Sequence, residues 1–183
     1  MLKVVLKKNI LLILLVSVSI IGKAAKPEWS PMLAGKVTKA LSAVYHVEDF
    51  TFEPVELIQI TDEAIKSALN KRFYKVFSEG EFKGYAYVAQ APSMKNVFDY
   101  LVIFNKELSI KKTKVLIYRE QHGRQIGTAR WLSQFTGMNT EDRPYLGGQV
   151  DGISGATISA KSMTMSVSKV LAVLATVKEK GYL

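Results

Sequence analysis

Cysteine is absent from the 183 residues, and histidine occurs only twice, as His46 and His122. Without thiols the chain can form no disulfide framework, thiolate zinc site or iron–sulfur cluster, and neither a c-type haem nor a lipid can be attached through sulfur. Two histidines argue against a multi-histidine metal centre and against a Ser-His-Asp hydrolase. Also lacking are a low-complexity tract, a repeat of 20–50 residues and an apolar run long enough to span a bilayer comfortably. What is present is 48% hydrophobic and 22% charged residues. That composition is globular, and the length suits one domain with a real core.

The charge of +9 is unevenly placed. Lys3, Lys7 and Lys8 precede a twelve-residue run, Ile10 to Ile21, broken only by Ser17 and Ser19, with small residues at Gly22 and Ala24. A basic start, an apolar run and small residues suit an export signal at residues 1–24. Twelve helical residues reach about 18 Å, short of the roughly 30 Å of a bilayer's hydrocarbon, yet flanking lysines can snorkel, so cleaved signal and retained anchor both stand as readings. Removing residues 1–24 takes away four lysines and no acid, leaving 21 basic against 16 acidic residues and a net +5. No nucleic-acid partner is expected from that balance, and the densest remaining cluster, Lys111-Lys112-Lys114, reads as a solvated sheet edge.

Beyond the leader, Ser30-Pro31 offers a helix cap and first turn, and Leu33, Val37, Ala40, Leu41 and Val44 recur at helical spacing. Residues 50–60 read as a strand, and Thr61-Asp62 can cap a short helix over residues 63–69. Four further strand-like runs, residues 72–78, 82–91, 97–104 and 108–118, are separated by short turns. That spacing predicts an antiparallel meander and disfavours parallel crossovers. Residues 123–135 read as a helix entered through an irregular loop, with Ile126, Trp131, Leu132 and Phe135 apolar. Met163, Val167, Val170, Leu171, Leu174 and Val177 then share one face of a helix over residues 159–180, closed by Gly181. The fold class is α+β, an antiparallel sheet packed against helices with a long helix at the C-terminus.

Chemistry concentrates in Asp151-Gly152-Ile153-Ser154-Gly155-Ala156-Thr157-Ile158-Ser159, immediately before that helix. A helix start presents unpaired N–H groups and partial positive charge, Gly155 permits close backbone approach, and Ser154, Thr157 and Ser159 add hydroxyl groups. Lys161 sits in the first turn, where the dipole prefers an acid, and a phosphate nearby would explain it. The site suits an anion.

The same run resembles the attachment motif of the FMN-binding domain family, Asp-x-x-Ser/Thr-Gly-Ala-Thr/Ser, met at Asp151, Ser154, Gly155, Ala156 and Thr157. Upstream, Tyr118-Arg119-Glu120, Gly123, Gly127, Trp131 and Phe135-Thr136-Gly137 extend the resemblance over roughly residues 80–180. Many members, among them the flavin-carrying subunits of sodium-pumping NADH–quinone reductase and of a related ferredoxin-linked complex, have Thr-Pro-Gly-Leu-Gly after the glutamate. Residues 121–127 of this chain read Gln-His-Gly-Arg-Gln-Ile-Gly instead.

The resemblance implies three parts: a signal or anchor at 1–24, an N-terminal helix and strand region at 25–79, and an FMN-binding core at 80–183. It implies covalent FMN joined through its phosphate to Thr157 by a separate flavin transferase working outside the cytoplasm. It further implies electron relay with membrane or extracytoplasmic electron-transfer proteins, at the periplasmic or outer face of the membrane, with membrane association through the N-terminus in the anchored case. Asp151 and Gly155-Ala156 would be read by the transferase, Ser154 and Ser159 would add polar contacts, and Glu120 matches the family's glutamate. Trp131, Tyr145, Tyr85 and Tyr87 are aromatic candidates for the ring, each equally readable as packing. A flavin module of a multi-chain reductase and a secreted binding domain without flavin remain alternatives.

Overall fold

The computed structural model describes residues 27–183, so the leader expected at residues 1–24 lies outside the described residues. Ser30 caps the first helix, α1 (Pro31–Tyr45), accepting a hydrogen bond from the backbone N–H of Leu33 at 3.3 Å, with proline in its first turn. His46 ends it in the left-handed conformation. Asp62 caps α2 (Glu63–Leu69) by accepting from the N–H groups of Ala64 at 2.8 Å and Ile65 at 3.2 Å. Five strands follow chain order in one antiparallel sheet: β1 (Thr51–Pro54), β2 (Phe73–Ser78), β3 (Glu81–Pro92), β4 (Val97–Phe104) and β5 (Ile110–Ile117). The expected meander and α+β class are what the chain adopts. β1 is shorter than the run at residues 50–60 suggested: its pairing with β2 ends at Pro54, beyond which Val55 N–H still donates to the Phe73 carbonyl at 3.1 Å before the chain leaves the sheet.

Both faces of the sheet are covered, which explains why β3 and β4 read as near-continuous apolar runs rather than alternating ones. On one face Val37 and Leu41 of α1 meet Val76, Ala86, Val88, Leu101 and Ile103. On the other, Phe73, Tyr85, Tyr87, Phe98, Tyr100, Val102 and Phe104 meet the C-terminal helix α4 (Thr157–Glu179). Among the described residues α4 alone is long and apolar enough to cross a membrane, yet its apolar stripe, Met163, Val167, Val170, Leu171, Leu174 and Val177, is buried against the sheet. Each such side chain contributes roughly 1.5–3 kcal/mol on burial, so tertiary packing holds this helix more than intrinsic propensity does.

Residues 124–135 form two 3₁₀ turns, Arg124–Gly127 and Ser133–Phe135, on either side of a single α-helical turn, α3 (Ala129–Leu132). A continuous helix is interrupted at Thr128, whose backbone is extended and whose hydroxyl donates to the carbonyl of Gln125 at 2.8 Å. The apolar residues expected there, Ile126, Trp131, Leu132 and Phe135, are all buried.

Candidate functional site

At the C-terminal end of β5 the chain leaves the sheet through Tyr118, Arg119 and Glu120, and each of the three side chains fastens a different element. The Tyr118 hydroxyl and the Ser159 hydroxyl are hydrogen-bonded at 3.0 Å, which ties the strand exit to the first turn of α4. Arg119 donates to the Val97 carbonyl at 2.9 Å and to the buried Asp99 carboxylate at 2.5 Å, while Gln90 donates to the other Asp99 oxygen at 2.8 Å. One oxygen of Glu120 accepts from the Ser93 hydroxyl at 2.7 Å and from the backbone N–H groups of Lys95 at 2.7 Å and Asn96 at 2.8 Å. The Ser93 hydroxyl first, and then these backbone donors, hold the Glu120 carboxyl down to about 2. Glu120 therefore clamps the turn between β3 and β4 instead of pairing with Arg119 or Arg124. Ser162, one turn into α4, donates to the Pro92 carbonyl and closes the same ring of contacts from the helix side.

Across from that turn lies the run at residues 151–159. Gly155 adopts a φ of +76° and Ala156 stands at the N-cap position, where it offers no side-chain hydrogen bond. The first helical hydrogen bond runs from Ala160 N–H to the Ala156 carbonyl at 2.9 Å. Unlike α1 and α2, then, the longest helix begins without a side-chain cap, and its first N–H groups stay available to an anion. Thr157 is its first residue, two positions earlier than the sequence pattern suggested, and is exposed. Its hydroxyl makes only a long contact, 3.4 Å, to the Ile153 carbonyl.

Thr157, Gly155, Ala156, Ile158 and Ser159 line one wall of a cleft of about 600 Å³ whose other walls are Met94 to Asn96 and Tyr118 to His122. Lys95 and Arg119 bring cationic side chains to it. Gly123 sits where loop and strand exit meet: its φ is +78°, and a Cβ there would lie 2.9 Å from the Tyr118 hydroxyl and 3.0 Å from the Ala156 methyl. Only glycine fits that position without displacing Ala156 and the loop before α4.

Of the residues singled out from the sequence, Glu120, Gly155, Ala156, Thr157 and Ser159 are thus brought together. Ser159 is buried with its hydroxyl on Tyr118, which makes it a tie within the wall. Asp151, Ser154 and Trp131 border a separate hollow of about 390 Å³ on the other flank of the loop. There Trp131 Nε1 donates to the Asp151 carbonyl at 2.8 Å, and Gln134 accepts from the Asp151 N–H at 2.9 Å. The indole is packed edge-on against Phe135 and holds the loop from beneath.

Tyr85 and Tyr87 belong to the core: Tyr85 stacks on Phe73 at 5.0 Å, and Tyr87 donates to the Ala68 carbonyl at 3.2 Å. Met165 is 61% exposed rather than packed, because the helix turns it away from the stripe formed by Met163 and Val167. Lys161 and Tyr145 line a third groove beside α4. The turn at Met94 to Asn96 was not a candidate in sequence. Its only signal there was the Pro-Ser break between two strand runs, and its link to Glu120 is long-range.

Residues 95–172 match the model of a family described as FMN-binding domain. That segment resembles an FMN-binding domain. The matched segment begins within the clamped turn and ends on α4, so it contains every lining residue of the Thr157 cleft except Met94. Among solved structures, NqrC of Shewanella oneidensis is similar at a TM-score of 0.46 and 18% identity, over 61% of this chain and 61% of that one. The chain thus spans less than two thirds of that protein's length. No curated protein matches the chain.

Proposed function

We propose that the chain is an exported flavoprotein whose FMN is joined by a phosphoester to the Thr157 hydroxyl and which relays electrons between membrane-bound or extracytoplasmic redox partners. One observation carries the reading: an exposed threonine opens a 23-residue helix that no side chain caps, on the wall of a cleft in the segment that resembles an FMN-binding domain. A phosphoryl group at that oxygen lies beside free N–H groups at the positive end of the helix. Lys95, which no ion pair among the described residues engages, adds charge of the right sign, and about 600 Å³ has room for part of a nucleotide.

The run itself is presented outward. Asp151, Ser154, Gly155 and Thr157 are exposed, while the backbone of Asp151 is held on both sides by Trp131 and Gln134. A modifying enzyme would meet a fixed loop, with little ordering to do on binding. Once attached, FMN supplies one- and two-electron chemistry. The tether keeps it at high effective concentration where a dissociated cofactor would be diluted away. The chain's own residues fasten the walls: Glu120 the turn, Tyr118 the helix start, Trp131 the loop.

The test is to co-express the full chain with a flavin transferase in an exporting host, unfold it, and weigh its peptides. The peptide containing Thr157 should gain the mass of one FMN less one water and stay yellow. Thr157→Ala should carry no adduct while keeping its circular dichroism, and Thr157→Ser should retain it. An adduct persisting in the alanine variant would overturn the assignment.

A further inference from the structure

We infer that the groove between α4 and residues 143–148 is the docking surface for an acidic redox protein, an inference that rests on flavin being attached at Thr157. The groove, about 730 Å³, starts at Lys161, one turn or roughly 6 Å along the helix from Thr157. Its lining includes Arg143, Lys161 and Lys169 and no carboxylate. None of the ion pairs among the described residues engages these three cations. Between them stand two outward apolar side chains, Tyr145 at 62% and Met165 at 61% exposure.

Both charge and aromatic are held in place. Arg143 donates to the carbonyls of Thr140 at 2.8 Å and Asp142 at 2.7 Å. The Tyr145 ring lies directly on Gly148, where a Cβ would come within 2.2 Å of it, so the ring is fixed despite its exposure. The turn beneath is closed by Gly147 N–H to the Val150 carbonyl at 2.8 Å. Gly148 therefore seats that ring, and Gly147 supplies the positive φ, +85°, of the turn.

An apolar centre of one aromatic and one methionine ringed by cations is the make-up of a small protein interface, and fixed side chains lose little entropy when covered. Electron-transfer encounters are small and steered by charge. The complementary surface is acidic. A phosphate backbone would leave Tyr145 and Met165 uncovered, so a protein is the favoured occupant.

The probe is an acidic [2Fe–2S] ferredoxin, pre-reduced and mixed by stopped flow with the full flavinylated chain. Each encounter moves one electron from the cluster to the flavin, and two encounters with two solvent protons complete the reduction. The bimolecular rate should fall steeply with sodium chloride. Lys161→Glu with Lys169→Glu should slow it about ten-fold at low salt and flatten the salt dependence. The same variant should speed reoxidation by basic cytochrome c. Lys111→Glu with Lys112→Glu alters net charge equally and should change the ferredoxin rate by less than about two-fold.

Equal effects from both pairs, or none from the first, would overturn the proposal. So would a shift of the resting flavin spectrum in Tyr145→Ala, which would put the flavin's own ring in the groove. Lysine-dependent binding to phosphatidylglycerol vesicles with ferredoxin rates unaltered would assign the groove to lipid. Ferredoxin titration of the flavin-free Thr157→Ala chain, followed by NMR, reads docking even if attachment lies elsewhere.

Discussion

Residues at the exit of β5 build much of the cleft, Tyr118, Arg119 and Glu120 through polar side chains and Gly123 through the lack of one. The sharpest case is Gly123, where a methyl group would meet both Tyr118 and Ala156 in a backbone conformation that L residues rarely adopt. Gly123→Ala should destabilise the fold by about 2 kcal/mol in urea titrations, since backbone strain and a steric shift act together. It should also lower the yield of flavin adduct, because Gly155 and Ala156, which would be displaced, directly precede Thr157.

Glu120 gives a pH signature. Its folded carboxyl titrates at about 2, below its ordinary value, so the stability it adds is present above roughly pH 4.5 and is lost as pH falls towards 2. The Lys83 ammonium, by hydrogen bond and charge, also lowers Glu81, so some acid sensitivity survives elsewhere. Glu120→Gln should therefore flatten, without abolishing, the fall in urea midpoint between pH 5 and 3. An unchanged acid limb would show that the clamp is not formed.

At the scale of elements, the start of α4 trades helix stability for ligand capacity. Its first turn has neither a side-chain cap nor an acid, whereas α2 has both Asp62 at its cap and Glu63 in its first turn. Ile158, 53% exposed in that first turn, borders the cleft. Ile158→Glu should raise the stability of the unmodified chain by about 0.3–1 kcal/mol through the helix dipole. The same charge should repel a phosphoryl group and slow attachment. Thermal melting of the flavin-free variant, set beside adduct formation over time, reads both signs at once.

The elements themselves were largely legible. α1, α2, the meander and α4 follow from caps, spacing and periodicity, which are local. What escaped was either set by the third dimension or interrupted by one residue. The clamp joins Glu120 to a turn more than twenty positions upstream, and no local pattern encodes that distance. Trp131 and Ser159 stood out as candidates through the motif and the family-like segment around it, and the structure uses both as ties, because the side chains they meet come from other elements. Thr128 broke an expected helix by donating to Gln125, a competition between side chain and backbone that apolar spacing does not register.

For the whole molecule, the consequence of a sheet covered on both faces is that the N-terminal region and the region that resembles an FMN-binding domain should not unfold separately. β1 and β2 are hydrogen-bonded into the sheet that carries β4 and β5, and α1, although it comes first, reaches across to pack on Leu101, Ile103 and Leu116. The two tryptophans of the chain report the two faces independently. Trp29 packs edge-on against Phe52 and Tyr74 on the α1 side, and Trp131 holds the loop at Asp151 on the α4 side. In single-tryptophan chains, made by Trp131→Phe and Trp29→Phe, fluorescence and circular dichroism should give one urea midpoint per chain. Leu41→Ala, emptying a fully buried site on α1, should cost about 2–5 kcal/mol and move the Trp131 signal as far as the Trp29 signal. A Trp29 transition that ran ahead of the Trp131 transition would mean that the α1 layer folds as a separate unit, and the boundary near residue 79 would then be a real one.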